Sequence, residues 1–300
     1  MNFKELKSIY EGKRVFLTGH TGFKGSWLIL MLRELGAEVK GYAQPPVEHN
    51  ALYHEVRAEL YCDSVIADIR NREKVEREIT KFNPDFIFHM AAQALVLESY
   101  KNPVETYQTN VMGTLHVLDA LKNLNYPCKT ILITTDKVYE NFEREAPYKE
   151  DERMGGYDPY SNSKACCELL TSSYRSSFFN PEKYDLHQQS IATVRSGNVI
   201  GGGDWSGNRI VPDLARSLFK NEMLIIRNPD SVRPWQHVLE PLHGYLTLGA
   251  HMTKDTVKYS TAYNFGPKIE DRLTVEELIK EAIQIWGSGN YKVAHNISKH

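Results

Sequence analysis

Cysteine is scarce in this sequence: Cys62, Cys128, Cys166 and Cys167 are the whole complement of a 300-residue chain. None forms a C-x-x-C pair and no H-E-x-x-H occurs. Neither a disulfide framework nor a zinc site is therefore expected, and no metal is assigned. A reducing cytoplasm is the expected compartment. Long apolar runs are also missing. The longest covers residues 27–32, against about 20 residues for a membrane span. The N-terminal stretch lacks the apolar segment of a secretory signal. Charge of one sign is lacking too: 36 Lys and Arg stand against 38 Asp and Glu, a net charge of −2. That balance argues against nucleic acid or an anionic membrane as a partner. Proline is modest at 13, and 11% aromatic residues supply enough apolar surface to exclude a disordered chain. No tandem repeat or low-complexity tract is present.

What is present is an alternation. Residues 15–18 form a short apolar run ending at Gly19, the pattern of a strand buried on both faces. Residues 25–35 are dense in Trp, Leu, Ile and Met and stop at Gly36, which predicts a helix. Further strands are predicted at 38–42, 64–66, 86–90, 130–134 and 190–195. Further helices are predicted at 71–82, 104–124 and 160–179, the first with Val75, Ile79 and Phe82 on one face. This order predicts an α/β fold, a doubly wound parallel (Rossmann) sheet with helices on both faces. Beyond residue 195 the rhythm loosens. A loop at Gly201, Gly202, Gly203, Asp204 and Trp205 precedes helices at 211–220, 239–251 and 273–286 and a strand at 223–226. The expected organisation is a dinucleotide-binding domain over 1–190 and a smaller mixed α/β substrate region over 191–300, interleaved with it.

The first strand runs into Thr18-Gly19-His20-Thr21-Gly22-Phe23-Lys24-Gly25. Three glycines at three-residue intervals between a strand and a helix suit a pyrophosphate. The first permits a tight turn, the second close approach of backbone, and the third close helix–sheet packing. The helix N-terminus then offers N–H groups and a positive dipole end. The spacing is G-x-x-G-x-x-G, and such a turn alone is a weak signal. The acidic residue that often follows the second strand is missing from Gly41-Tyr42-Ala43-Gln44, and no arginine stands beside it. NAD and NADP are not distinguished by that feature. Asp68 and Ile69, after the third strand, offer an alternative hydrogen-bonding contact to the adenine.

Tyr160 and Lys164 stand four apart, on one helix face. A nearby ammonium favours phenolate, so the pair can exchange a proton with a substrate hydroxyl near neutral pH. Thr134-Thr135-Asp136-Lys137 follows the fifth strand, at the sheet edge where ligands bind in open parallel sheets.

Together, T-G-x-x-G-x-x-G, Ala91-Ala92 after the fourth strand, the hydroxyl after the fifth and Y-x-x-x-K resemble the extended short-chain dehydrogenase/reductases (the NAD-dependent epimerase/dehydratase family) over essentially the whole chain. Within that family, TGHTGFKGSWL, HMAAQ, TTDKVYEN, RSGNVIGGGDW and RPWQHVLE are similar to the CDP-glucose 4,6-dehydratases. The resemblance implies NAD as cofactor and CDP-glucose as a small-molecule substrate. It implies an internal redox dehydration: oxidation at C4, loss of water across C5 and C6, and hydride return to C6. It places cofactor contacts at Gly19, Thr21, Gly22, Phe23, Lys24, Asp68, Ile69, Ala91, Ala92 and Gln93, with Tyr160 and Lys164. Tyr160 becomes the base at the 4-hydroxyl, and Lys164 lowers its pKa and holds the nicotinamide ribose. Thr135 hydrogen-bonds the sugar, and Asp136 protonates the departing 6-hydroxyl. Lys137 stands where dTDP-glucose dehydratases carry a glutamate base. It takes the C5 proton or holds the group that does, which requires a depressed amine pKa. Asn198 and Arg233 resemble diphosphate ligands, with Arg209 in support, and Asn110 resembles a residue that orders active-site backbone. A homodimer packed through 104–124 and 160–179 is implied. The chain stops at Ser298-Lys299-His300 where relatives continue, so a C-terminal truncation is expected. A nucleotide-sugar 4-epimerase, a dehydratase for another nucleotide sugar and a non-catalytic cofactor sensor are the alternatives. The Asp136-Lys137 pair argues against the epimerase, and the intact Tyr160 and Lys164 against the sensor.

Overall fold

Apolar runs that stop at glycine or a polar turn become the strands of one seven-stranded sheet. The computed structural model describes residues 1–47, 49–142, 144, 146–268 and 271–294. In chain order the strands are β1 (Arg14–Thr18), β2 (Glu38–Ala43), β3 (Asp63–Ile66), β4 (Phe86–His89), β5 (Cys128–Ile133), β6 (Gln189–Ser196) and β7 (Ala262–Phe265). They lie side by side as 3-2-1-4-5-6-7, and every pairing is parallel. This is the doubly wound order, and it reverses between β1 and β4, where a crevice opens at the carboxyl ends of the strands. Six of these strands match the alternation in the sequence. β7 has only four half-buried residues and no alternating pattern, so its sequence carries no strand signal.

Both sheet faces are covered. On one, Phe16, Ile87, Leu132 and Ile191 pack with Val75, Ile79, Val117, Leu118 and Leu121 from two helices. On the other, the helix Leu239–Met252 comes so close that a Cβ on Gly249 would lie 2.4 Å from the Tyr10 hydroxyl and 3.5 Å from Phe86. The N-terminal helix Phe3–Tyr10, absent from the sequence reading, is closed by a capping box between Asn2 and Glu5. It delivers Tyr10 to the Leu246 carbonyl, 2.8 Å away.

The single long helix expected at 104–124 is not continuous. It is Pro103–Tyr107, a π-helical turn at Gln108–Met112, Gly113–Ala120 and a final 3₁₀ turn at Leu121–Asn123. The cause is Asn110. Its carbonyl accepts from Thr114 Oγ1 at 2.6 Å and from Cys167 Sγ at 3.1 Å, while its side chain is engaged elsewhere. The widened turn is a common device at functional sites.

The chain divides into two compact units, residues 1–196 with 238–265, and residues 197–237 with 266–300. The first holds the seven-stranded sheet. The second contains the helices Ile210–Lys220 and Val275–Trp286 and three two-stranded pairings, two parallel and one antiparallel. Its core is Leu214, Leu224, Ile226 and Ile279. Residues 298–300 lie outside the described part. Among the described residues no helix is long and apolar enough to cross a membrane, and no group of three or more His, Cys, Asp or Glu is placed to hold a metal ion.

Candidate active site

The glycine turn is built by contact. Gly19 has φ +75°, and a Cβ there would stand 2.8 Å from the Ala91 nitrogen. A Cβ on Gly25 would stand 2.2 Å from the Gly19 carbonyl oxygen. Side chains at these places would push β1, the segment after β4 and the next helix apart. That helix, Phe23–Glu34, starts on Gly22 with no side-chain cap, which leaves first-turn N–H groups for an anion. The cradle fits a dinucleotide diphosphate. Thr21 Oγ1 donates to the Gln44 carbonyl at 2.8 Å and ties the turn to the end of β2. His20 turns inward, with Nε2 2.7 Å from Ser64 Oγ. Burial lowers its pKa to about 4, so it is neutral.

At the β2–β3 corner the Asp68 carboxylate accepts from Gln44 Nε2 at 2.8 Å and from Arg70 Nε at 2.9 Å. The Arg70 guanidinium holds Asp68 below its ordinary pKa, against the opposing effect of burial. Arg70 is thus an arginine near the end of β2, brought there through Asp68 and not through sequence adjacency. Ile69 is different. Its side chain is buried in the core against Gly113, and its carbonyl accepts from His116 Nδ1 at 3.0 Å.

Near the end of β5 the turn that carries Thr135, Asp136 and Lys137 meets the helix that carries Tyr160 and Lys164. The helix Pro159–Ser177 begins on Asp158, whose Oδ1 accepts from the Ser161 nitrogen. This fixes Tyr160, half-buried, in the first turn, with Lys164 one turn on. Lys164 Nζ donates to the Ile133 carbonyl at the end of β5, 3.0 Å away. Complete burial pushes the Lys164 pKa down, and the charge of Lys24 acts in the same direction. Thr135 is buried and its hydroxyl donates to Asp136 Oδ1 at 3.1 Å. Lys137 follows on a single 3₁₀ turn, with its side chain exposed. Asn110 clamps the site from behind. Its Oδ1 accepts from the Gln93 nitrogen at 2.8 Å, and its Nδ2 donates to the Gln93 carbonyl at 3.0 Å and to Ser163 Oγ at 2.8 Å. Ala91 is held by its N–H, which donates to Thr18 Oγ1 at 3.1 Å, and Ala92 is half-buried beside it.

The three expected diphosphate ligands belong to the second unit. There the Asn198 carbonyl accepts from the Gln236 nitrogen at 2.9 Å, and Arg209 pairs with the nearly enclosed Asp204 at 3.0 Å. Arg233 is exposed and donates to the neighbouring Val232 carbonyl at 2.9 Å.

A family model described as GDP-mannose 4,6 dehydratase matches residues 16–286. The chain belongs to this family. A CDP-glucose 4,6-dehydratase of Salmonella typhimurium is 52% identical over 94% of this chain and 78% of its own length. A CDP-paratose 2-epimerase of Salmonella typhi is 27% identical over 89% of the chain and 82% of its own length. Among solved structures, a dTDP-glucose 4,6-dehydratase of Streptomyces venezuelae with NAD bound superposes with TM-score 0.77 at 21% identity, covering 94% of this chain and 84% of that one. An NAD complex of UDP-glucose 4-epimerase from Thermus thermophilus gives TM-score 0.77 at 23% identity, covering 93% of this chain and 85% of that one.

This family member contains two supporting groups that the sequence reading left out or placed only in part. His89, at the end of β4, is enclosed, with Nδ1 2.7 Å from Thr18 Oγ1 and Nε2 3.1 Å from Thr114 Oγ1. Thr18 Oγ1 already accepts from the Met90 and Ala91 nitrogens, so its hydroxyl donates to Nδ1 and the ring proton sits on Nε2. The second group is the ion pair of Glu168 and Arg195 at 2.9 Å, with both side chains 2% exposed. Arg195 lies near the end of β6, buried. Its partner Glu168 lies four residues beyond Lys164, a spacing that places it on the same helix face.

Proposed function

We propose that this chain converts CDP-D-glucose to CDP-4-keto-6-deoxy-D-glucose. The reading is carried by the 52% identity to a CDP-glucose 4,6-dehydratase over 94% of the chain, with Thr135, Asp136, Lys137, Tyr160 and Lys164 intact at one sheet edge. NAD, when bound, would supply the acceptor for the C4 hydride and the donor of hydride to C6. Gly19, Thr21, Gly22, Phe23 and Lys24 cradle its diphosphate, Asp68 and Gln44 face its adenosine ribose, and Ala91, Ala92 and Gln93 line its passage across the switch point. Tyr160 removes the 4-hydroxyl proton. Lys164 favours the phenolate by its charge and fixes the nicotinamide ribose. The 4-ketone acidifies the C5 proton. Lys137 takes that proton or holds the group that does, and Asp136 protonates the 6-hydroxyl as it leaves. Thr135 holds the sugar through its hydroxyl. Asn198, Arg209 and Arg233 of the region 191–300 anchor the nucleotide diphosphate, a task suited to the forked guanidinium. The enzyme works in the cytoplasm as a homodimer. Exposed apolar side chains on the two helical stretches, Val104 and Met112 on one and Leu169 on the other, form its interface.

Incubation with CDP-glucose and NAD, read by the alkaline absorbance of a 4-keto-6-deoxy sugar, tests the proposal, with UDP-, dTDP- and GDP-glucose in parallel. Product from CDP-glucose alone is expected. An isomeric CDP-hexose with no keto sugar would favour an epimerase. The Lys137→Met variant is expected to lose elimination while still exchanging hydride at C4 with bound cofactor. Full turnover by that variant removes Lys137 from the mechanism.

A further inference from the structure

One buried ion pair holds the turn that carries Thr135, Asp136 and Lys137 at both ends. Upstream, the Thr134 hydroxyl donates to Glu168 Oε1. Glu168 lies on the helix Pro159–Ser177, and its Oε2 accepts from Arg195 Nη2 at 2.9 Å. Downstream, Arg195 Nη1 donates to the Tyr139 hydroxyl at 2.6 Å. The phenol proton goes to Asn264 Oδ1 on β7, also at 2.6 Å. Tyr139, Glu168 and Arg195 are all buried. The Tyr139 ring stacks on Tyr148 with centres 5.0 Å apart, and the Tyr148 carbonyl accepts from Asn264 Nδ2 at 2.9 Å. Between the two anchors, Val138 packs with Ala165, the residue after Lys164.

The two anchors do different work. The Thr134–Glu168 link ties the turn to the helix of Tyr160 and Lys164. The Tyr139 link ties it to β6 and β7, through Arg195 and Asn264. Cutting the second link releases only the end that follows Asp136 and Lys137. The Tyr160–Lys164 spacing is set inside its own helix, and Lys164 keeps its bond to the Ile133 carbonyl. Phenylalanine at 139 would fill the same space and stack on Tyr148 as well. What the hydroxyl adds is the fixed direction of two hydrogen bonds. We propose that Tyr139 is a positioning residue for the elimination half of the reaction, its hydroxyl bridging Arg195 and Asn264 so that Asp136 and Lys137 stay in register with the sugar that Tyr160 has helped to oxidise. The proposal rests on the dehydratase reading above.

Two substrates separate the halves of the reaction. CDP-glucose needs both. CDP-6-deoxyglucose has no 6-hydroxyl to lose, so it reports C4 oxidation alone, through the near-ultraviolet absorbance of the reduced nicotinamide. In Tyr139→Phe, keto-sugar formation from CDP-glucose should fall by up to about 10²-fold, the scale of a displacement of about 1 Å. Hydride transfer from CDP-6-deoxyglucose should keep its wild-type rate. Arg195→Lys keeps a charge for Glu168 but loses the fork that bridges to Tyr139, and should show the same split. Equal losses on both substrates, whether from unfolding or from a loosened site, would make Tyr139 a support of the fold and overturn the proposal. So would undiminished turnover of CDP-glucose by Tyr139→Phe, and either result would leave the dehydratase reading standing. A wild type that forms no keto sugar from CDP-glucose overturns both.

Discussion

At the scale of single residues, the candidate site combines titratable side chains with groups that fix them in place. Tyr160 and Lys164 are legible as a pair because a four-residue spacing on a helix is a local property. The chain cannot signal locally that Lys164 ends against the Ile133 carbonyl, since that contact joins a helix to the strand before it. Tyr160→Phe removes the proton acceptor while sparing the ring, and general-base losses run at roughly 10²–10⁴-fold. Turnover of CDP-glucose should fall by that much, while NAD, read by titration, still binds. Glu168 and Arg195 are a different case. Glu168 also accepts from the Thr134 and Thr193 hydroxyls, the latter at 2.7 Å, and Arg195 donates to the Tyr139 hydroxyl at 2.6 Å. Neutralising one partner strands the other in the interior, at about 3–5 kcal/mol. Urea unfolding of Glu168→Gln should show a loss of that size, and Arg195→Met should show the same.

At the scale of elements, turn chemistry was readable and helix continuity was not. The glycine turn announces itself because only glycine tolerates the approach of Ala91 to Gly19 and of Gly19 to Gly25. Gly25→Ala should weaken NAD binding and stability together, by about 1–3 kcal/mol as for other overpacked positions. Calorimetric titration and thermal melting check the two effects separately. The stretch 104–124 has helical periodicity throughout, so a single helix was the natural expectation. At the π turn Gln108–Met112 the Asn110 side chain is held by Gln93 before it and Ser163 after it, and neither neighbour is near it in sequence. Loss of this clamp would move the Gln93 backbone, not the helix alone.

At the scale of the whole molecule, acid sensitivity follows from buried histidines. Burial lowers the His89 pKa from an ordinary 6.5 to about 3, and that of His20 to about 4. The unfolded chain therefore binds more protons than the folded one between those values and about 6.5. Stability from keeping these rings neutral is complete above pH 6.5 and is lost as pH falls towards 3 to 4. For His89 the shift corresponds to up to about 5 kcal/mol. Urea midpoints measured from pH 7 down to pH 4 should fall steeply in the wild type and less steeply in His89→Gln. A parallel slope in that variant would show that His89 does not titrate across unfolding.

Periodicity and glycine spacing act over a few residues, so the alternating elements, the parallel sheet and the phosphate turn can be read along the chain. Residue identity also carries the candidate set, because Thr135, Asp136 and Lys137 follow a readable strand end and Tyr160 and Lys164 stand one turn apart on a readable helix. Other features depend on contacts between segments far apart. These are the seventh strand, whose half-buried residues show no pattern, the return of 238–265 to the first unit, the Arg70–Asp68–Gln44 corner, and the seating of Lys24 on Tyr245, 221 residues away. Such contacts form only after chain folding brings those segments together, and no local pattern encodes them.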